Sequence, residues 1–152
     1  LTETTFGTDS VCTRAQAAAM IYRCTQAQGK GFTGAWMFHL PFTDVPEWAY
    51  ESVAWCYMNG VTTGVSETSF APGNDCTRAQ IVTFLWRANA SPAAASASAF
   101  TDIAASAYYA SAVNWAVENN VTNGTSTATF SPNADCTRAQ IVTFLYRAYQ
   151  SK

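Results

Sequence analysis

A chain of 152 residues with a formal charge of −2 is one domain's worth of polypeptide, long enough to bury a substantial core. Nearly half of the residues are hydrophobic and 14% are aromatic, which excludes an intrinsically disordered chain. Only 12% are charged, so the polar surface falls to Thr, Ser, Asn and Gln, and no basic excess marks nucleic acid or an anionic membrane as a partner.

In chain order, TTFGTDSVCTRAQAAAMIYRC (4–24) predicts a helix beginning at Thr13. Residues 25–41 follow and hold Trp36, Phe38 and His39, too apolar for a mere tether. FTDVPEWAYESVAW (42–55) predicts a helix starting near Asp44, with the carboxylate as N-cap and Glu47 completing a capping box. Val53 and Tyr57 stand at helical spacing around Trp55. The helix ends at Asn59-Gly60, residues that tolerate a left-handed terminus. VTTG then leads through a short extended stretch to Phe70 and Pro72, and a new helix begins at Thr77. Residues 89–99, NASPAAASASA, read as a flexible small-residue tether. The pattern then returns: a helix from near Asp102 with Val113 and Val117 around Trp115, an end at Asn119-Asn120, VTNG, Phe130, Pro132, and a helix at Thr137.

These elements form an internal repeat. CTRAQ occurs at 12–16, 76–80 and 136–140, whereas the FTD segment occurs only at 42 and 100. The predicted organisation is a partial repeat at 1–28 holding only the second half of the unit, full repeats at 42–88 and 100–150, and one all-α domain made of all three. No apolar run approaches the roughly 18–20 residues of a membrane span, so membrane insertion is not expected. The chain starts inside a repeat and reads as a trimmed fragment of a longer, secreted protein.

Folding explains four of the five residues in CTRAQ. T-x-x-Q is a capping box for Thr13/Gln16, Thr77/Gln80 and Thr137/Gln140. The cysteine stands at N′ and staples onto Ala17, Ile81 or Ile141, while the Ala is a good helix former. The arginine does not fit. Arg14, Arg78 and Arg138 fall at N1, where the helix dipole disfavours a cation, whereas Arg23, Arg87 and Arg147 fall near the C-terminal ends that favour one. Two readings compete for the N1 set. One is a structural ion pair with Asp9, Asp75 or Asp135; the other is an anion site, a guanidinium beside free helix N-terminal amides. On the anion-site reading Arg78→Ala and Arg138→Ala should cost little stability, because a cation at N1 opposes the dipole, whereas variants that unfold easily would mark structural ion pairs.

Five cysteines cannot all pair within the chain, and the three equivalent ones are expected as buried thiols. A Cys56–Cys76 bridge and a metal on the three equivalent thiols are the alternatives. Tyr22, Trp86 and Tyr146 read as a core layer, and Trp55 and Trp115 as core anchors. Trp48 and Tyr108 sit at helix starts and suit a groove wall. Gly64 and Gly124 read as turn glycines with positive φ, or as points where the backbone approaches a ligand closely. His39 is the single histidine and has no nucleophile beside it, no carboxylate pair recurs as glycosidase chemistry requires, and no nucleotide fingerprint is present. Neither an enzyme nor a cofactor is expected.

Taken together, F-T-D-V, the W-A helix, N-G-V-x-x-G, F-x-P and T-R-A-Q resemble the S-layer homology repeat over 42–88 and 100–148, and in part over 4–24. The resemblance implies a pseudo-threefold domain around a central three-helix bundle, with grooves between units. It also implies an extracellular location and non-covalent attachment to an anionic, pyruvate-bearing secondary polysaccharide of the Gram-positive cell wall. The family's groove cation maps onto Arg14, Arg78 and Arg138. Gln16, Gln80, Gln140, Trp48, Tyr108, Gly64 and Gly124 complete the candidate glycan-binding set, with polar contacts from loops 61–66 and 121–126. Three departures matter: Gln replaces the family's Glu in every copy, Tyr108 replaces a tryptophan, and the first repeat lacks its FTD helix. At most two grooves are then complete, unless an upstream domain or another chain completes the first repeat. The expected bundle faces are Ala17/Met20/Ile21, Ile81/Phe84/Leu85 and Ile141/Phe144/Leu145, with residues 30–41 or another chain over the open edge. The rival reading is a structural or protein-interaction module of the same fold without glycan binding.

Overall fold

A computed structural model describes residues 5–30, 34 and 37–150. Five α-helices are present in the order α1 (Arg14–Ala27), α2 (Glu47–Met58), α3 (Arg78–Ala88), α4 (Ala110–Glu118) and α5 (Arg138–Gln150). The architecture is all-α. The TRAQ helices α1, α3 and α5 each touch the other two, while α2 packs on α1 and α4 packs on α3. The expected faces are inside: Ala17, Ile21, Ile81, Phe84, Leu85, Ile141, Phe144 and Leu145 are buried, and Met20 is half-buried.

The capping boxes form in all three copies. Thr13, Thr77 and Thr137 accept from the amides of Gln16, Gln80 and Gln140 at 3.3 Å, and each Gln Oε1 accepts the Thr amide in return at 3.2, 3.3 and 3.1 Å. All five cysteines are free thiols, and Cys12, Cys76 and Cys136 are fully buried. Their backbones close a ring. Cys12 N donates to Cys136 O (2.9 Å), Cys136 N to Cys76 O (2.9 Å) and Cys76 N to Cys12 O (2.8 Å).

The same seams use up the helix-start amides. Arg14, Arg78 and Arg138 N donate to the carbonyls of Asn74, Ala134 and Ser10 (2.9 Å each), and the next amides reach Pro72, Pro132 and Thr8. The expected free amides are therefore absent from these helix starts, because loops of neighbouring repeats occupy them.

The FTD aspartates do not cap helices. α2 begins at Glu47 after Pro46, and α4 at Ala110 after Tyr109, neither with a side-chain cap. Asp44 instead accepts from Ser69 Oγ (2.6 Å), Phe70 N (2.9 Å) and Ala71 N (2.8 Å), and Asp102 from Phe130 N (2.9 Å) and Ser131 N (2.7 Å). Ala71 and Ser131 have φ of 56° and 58°, a turn that aims successive amides at one point and makes an anion nest. Burial is the largest single effect and raises both carboxyl pKa values, but the hydrogen bonds together outweigh it and hold both carboxyls below their usual range.

The segment over 89–99 is tied down rather than free. Trp86 Nε1 donates to Pro92 O, Ala95 N to Glu118 and Ser98 N to Asn114. In the 25–41 segment, Phe38 packs on Tyr57 and Leu40 is buried, so its described part covers α2 rather than α5; Trp36 lies outside the described residues. Trp55 and Trp115 are core anchors, and Tyr22 is buried against Trp55. Tyr146, expected in the same layer, is 61% exposed and Val142 is 42% exposed, whereas Val82 at the equivalent position of α3 is fully buried. α1 and α3 each carry an FTD-type helix on that side; α5 carries none among the described residues.

Candidate functional site

Each N1 arginine lies across the seam between two repeats. Arg14 Nε donates to Phe70 O (2.9 Å), and its guanidinium sits 4.8 Å from the Phe70 ring and 5.5 Å from that of Phe84. Arg78 repeats this with Phe130 O (2.8 Å) and the rings of Phe130 (4.9 Å) and Phe144 (5.4 Å). Arg138 does so with Phe6 alone, at 2.9 Å to its carbonyl and 4.4 Å to its ring, and is only half-buried. The side chains of Arg14 and Arg78 are 3% and 4% exposed. Among the described residues neither has a carboxylate at ion-pair distance, so the ion-pair reading, one of the two alternatives, does not hold for Arg14 or Arg78. Burial lowers both guanidinium pKa values, with Asp44 and Asp102 opposing from farther away. The arginine in CTRAQ thus has a folding role: it fastens a neighbouring loop carbonyl and fills the gap between two aromatic rings.

The seams also open into grooves. Arg14 lines a cavity of about 460 Å³ with Thr62, Thr63, Gly64, Gln80, Arg87 and Tyr108. Arg78 lines its counterpart of about 410 Å³ with Thr122, Asn123, Gly124, Gln140 and Arg147. Gln16 and Trp48 share a third cavity of about 380 Å³ with Asp44, while Arg138 lies against Phe6. The sequence-derived set is therefore brought together as Arg14/Gln80/Gly64/Tyr108, as Arg78/Gln140/Gly124, and as Gln16/Trp48. Trp48 and Tyr108 are 60% and 61% exposed, each in the lining of its own cavity. Loops 61–66 and 121–126 contribute Thr62, Thr63 and Gly64, and Thr122, Asn123 and Gly124, to the groove linings.

Gly64 and Gly124 both have φ of +81°. A Cβ would come within 2.5 Å of the Phe42 ring at Gly64 and of Thr129 O at Gly124. The turn alone therefore requires glycine, and its backbone then forms part of each groove. Arg87 and Arg147 were assigned by sequence to the helix dipole; both line grooves, and Arg87 Nη1 donates to Val61 O at 3.3 Å. Their threefold recurrence with Arg23, the signal that singled out the N1 arginines, was available for them as well.

The family model for the S-layer homology domain matches residues 41–82 and 99–142, more than half of the chain. An endoglucanase of Bacillus sp. (strain KSM-635) is 32% identical over 112 residues, covering 72% of this chain and 12% of that protein. A cell surface protein of Thermoanaerobacter kivui is 34% identical over 115 residues, covering 71% of this chain and 15% of that protein. The chain thus spans only a small part of each relative's length. With its repeats, its seams and these matches, the chain belongs to the S-layer homology domain family, whose members are non-catalytic anchoring domains of the cell wall and cell surface.

Proposed function

We propose that this chain anchors a larger secreted polypeptide non-covalently to the bacterial cell wall by binding an anionic secondary polysaccharide, of which a pyruvylated polymer is the form implied by the family resemblance. The observation that carries this reading is Arg14. It is a cation with 3% exposure, it has no carboxylate partner among the described residues, and it lines an open groove. An uncompensated buried charge is costly, and a carboxylate entering the groove would neutralise it through the N–H groups that Phe70 O does not take. Tyr108 offers a ring face for a sugar, and Gln80, Thr62 and Thr63 offer hydrogen-bond groups. Arg78 heads a second groove without an aromatic of this kind in its lining.

One observation favours a structural or protein-interaction module instead. The bonds of Arg14 and Arg78 to loop carbonyls and rings would retain arginine for folding alone. Retention of the chain on purified cell-wall sacculi, with and without their secondary polysaccharide, decides between the two. Binding that disappears when the polysaccharide is stripped supports the anchoring reading; equal retention or none refutes it. The endoglucanase relative suggests an enzyme as one kind of cargo, carried outside this chain.

A further inference from the structure

The segment that opens each full repeat does three things at a seam. Its phenylalanine packs on the ring of the following loop, Phe42 on Phe70 and Phe100 on Phe130, at 5.9 Å between centroids in both copies. Its aspartate fills the amide nest beside that ring. Its helix lies on a TRAQ helix, α2 on α1 and α4 on α3. The seam of Arg138 has all three receiving surfaces and, among the described residues, no such segment. Gly7, with φ of 66°, repeats the turn of Ala71 and Ser131, and Ser10 N donates to Gly7 O as Asn74 and Ala134 N do to Ala71 and Ser131 O. The amides of Phe6 and Gly7 nevertheless have no acceptor among the described residues. The Phe6 ring is 47% exposed where Phe70 and Phe130 are fully buried. On α5, Val142, Thr143 and Tyr146 form an exposed stripe at helical spacing, whereas their equivalents Ala18, Ala19 and Tyr22 on α1 are buried. Arg138 Nε donates to Phe6 O and Ala139 N to Thr8 O, so nest and stripe flank one seam.

We propose that the Phe6–Gly7 nest and the α5 stripe are one docking surface for a further F-x-D helix borne outside residues 1–152. Its phenylalanine covers Phe6, its aspartate fills the nest, and its helix lies on α5. The chemistry selects this occupant. Two bare amides converging on one point call for an anion, which an apolar helix face alone does not bring. A free anion would fill the nest and leave Phe6 and the stripe uncovered. The stripe calls for the kind of face that α2 presents to α1, where Trp55 meets Tyr22 at 5.7 Å between centroids and Cys56 Sγ lies 4.0 Å from Ala18 O. One consequence reaches the grooves and rests on the anchoring reading above. Trp48, beside α1, lines the cavity of Gln16, and Tyr108, just ahead of α4, lines that of Gln80 on α3. A helix docked on α5 brings its equivalent residue beside Gln140 and gives the Arg78 groove the aromatic wall that its lining lacks.

The test supplies the helix from this chain's own sequence. LTETTF at 1–6 aligns with VSETSF at 65–70, so a second copy of residues 41–64 placed directly ahead of Leu1 keeps the register of the repeat. The grafted chain should melt about 5 °C or more above the unaltered chain. Hydrogen exchange at the Phe6 and Gly7 amides should slow about tenfold or more. Asp44→Asn made in the graft alone should return those two amides to their original rates. Val142→Glu should lower the melt of the grafted chain by several degrees more than that of the unaltered chain. No rise in the melt, exchange indifferent to the Asp44→Asn graft, or equal effects of Val142→Glu on both chains overturns the proposal. So does a dimer of the unaltered chain that Val142→Glu dissociates, since a second copy is then the occupant. Should the grafted chain aggregate, residues 41–60 as a free peptide must shift the NMR signals of Phe6, Gly7, Val142 and Tyr146, and silence at these four overturns the proposal equally. No glycan enters these measurements, so their failure leaves the anchoring reading to the sacculus assay, and lost sacculus retention leaves the docking surface standing.

Discussion

Truncating Arg78 to alanine tests what holds the seam between the second and third repeats. The change deletes a side chain with 4% exposure, a 2.8 Å hydrogen bond to Phe130 O, and stacking on the rings of Phe130 and Phe144. A hydrogen bond with a charged donor contributes about 1.5–3 kcal/mol, and the ring contacts about 1 kcal/mol more. Releasing a buried cation and gaining a better helix former return part of this. The net loss should be about 2–3 kcal/mol, contrary to the small cost that position N1 alone suggests. Arg138→Ala is the internal control. It removes the same bond, here to Phe6 O at 2.9 Å, but from a half-buried residue whose contacts water replaces, and should cost about 1 kcal/mol or less. Urea unfolding at neutral pH measures both. If Arg78→Ala unfolds within about 0.5 kcal/mol of the parent, or if the two variants lose the same amount, the seam reasoning is wrong.

Thr77→Ala should cost about 0.5–2 kcal/mol by removing the cap on Gln80 N, read from the shift of the urea midpoint at unchanged slope. Gly124→Ala should cost about 2 kcal/mol or more, because its φ of +81° and the Thr129 carbonyl at 2.5 Å from a Cβ leave no relaxed conformation; a neutral melt would refute this. Thiol titration of the chain unfolded without reductant should find all five thiols, and a count of three or one would reveal a bridge. In the native state burial pushes the Cys12 thiol up to about 11, so alkylation at neutral pH should be slow. Asp102 has a depressed native pKa, so its stabilisation is complete above the unfolded value of about 3.9 and is lost as pH falls through the native one. Asp102→Asn should flatten that acid limb of the stability curve, and an unchanged limb would sink the nest assignment.

Much of the architecture was written in local patterns. The TRAQ helices, their caps and their buried faces follow from short-range rules, because a capping box spans four residues and a helical face repeats within two turns. Asp44 and Asp102 were misread for the complementary reason. An aspartate just before a helix satisfies the local rule for a cap, and only the folded chain brings the Phe70 and Phe130 turns to it from 26 and 28 residues away. Tyr146 was misplaced because a repeat position was taken to imply a repeat environment, whereas burial on α5 depends on a helix that only α1 and α3 possess among the described residues. The N1 arginines show the limit most clearly. Their oddity was visible as an unfavourable charge at a helix start, but its resolution, a carbonyl and two rings contributed across the seam, has no signature within five residues of Arg14 or Arg78.

The ring of backbone bonds at the three cysteines has a mechanical consequence. It ties Cys12 to Cys136, residues near opposite flanks of the chain, and each cysteine holds both of the others. Tension applied between those flanks enters all three bonds together, as shear, instead of peeling repeats away one after another. A tether pulled in a force spectrometer should therefore give way in a single rupture. Its resistance is set by how fast the whole ring opens rather than by the strength of any one repeat.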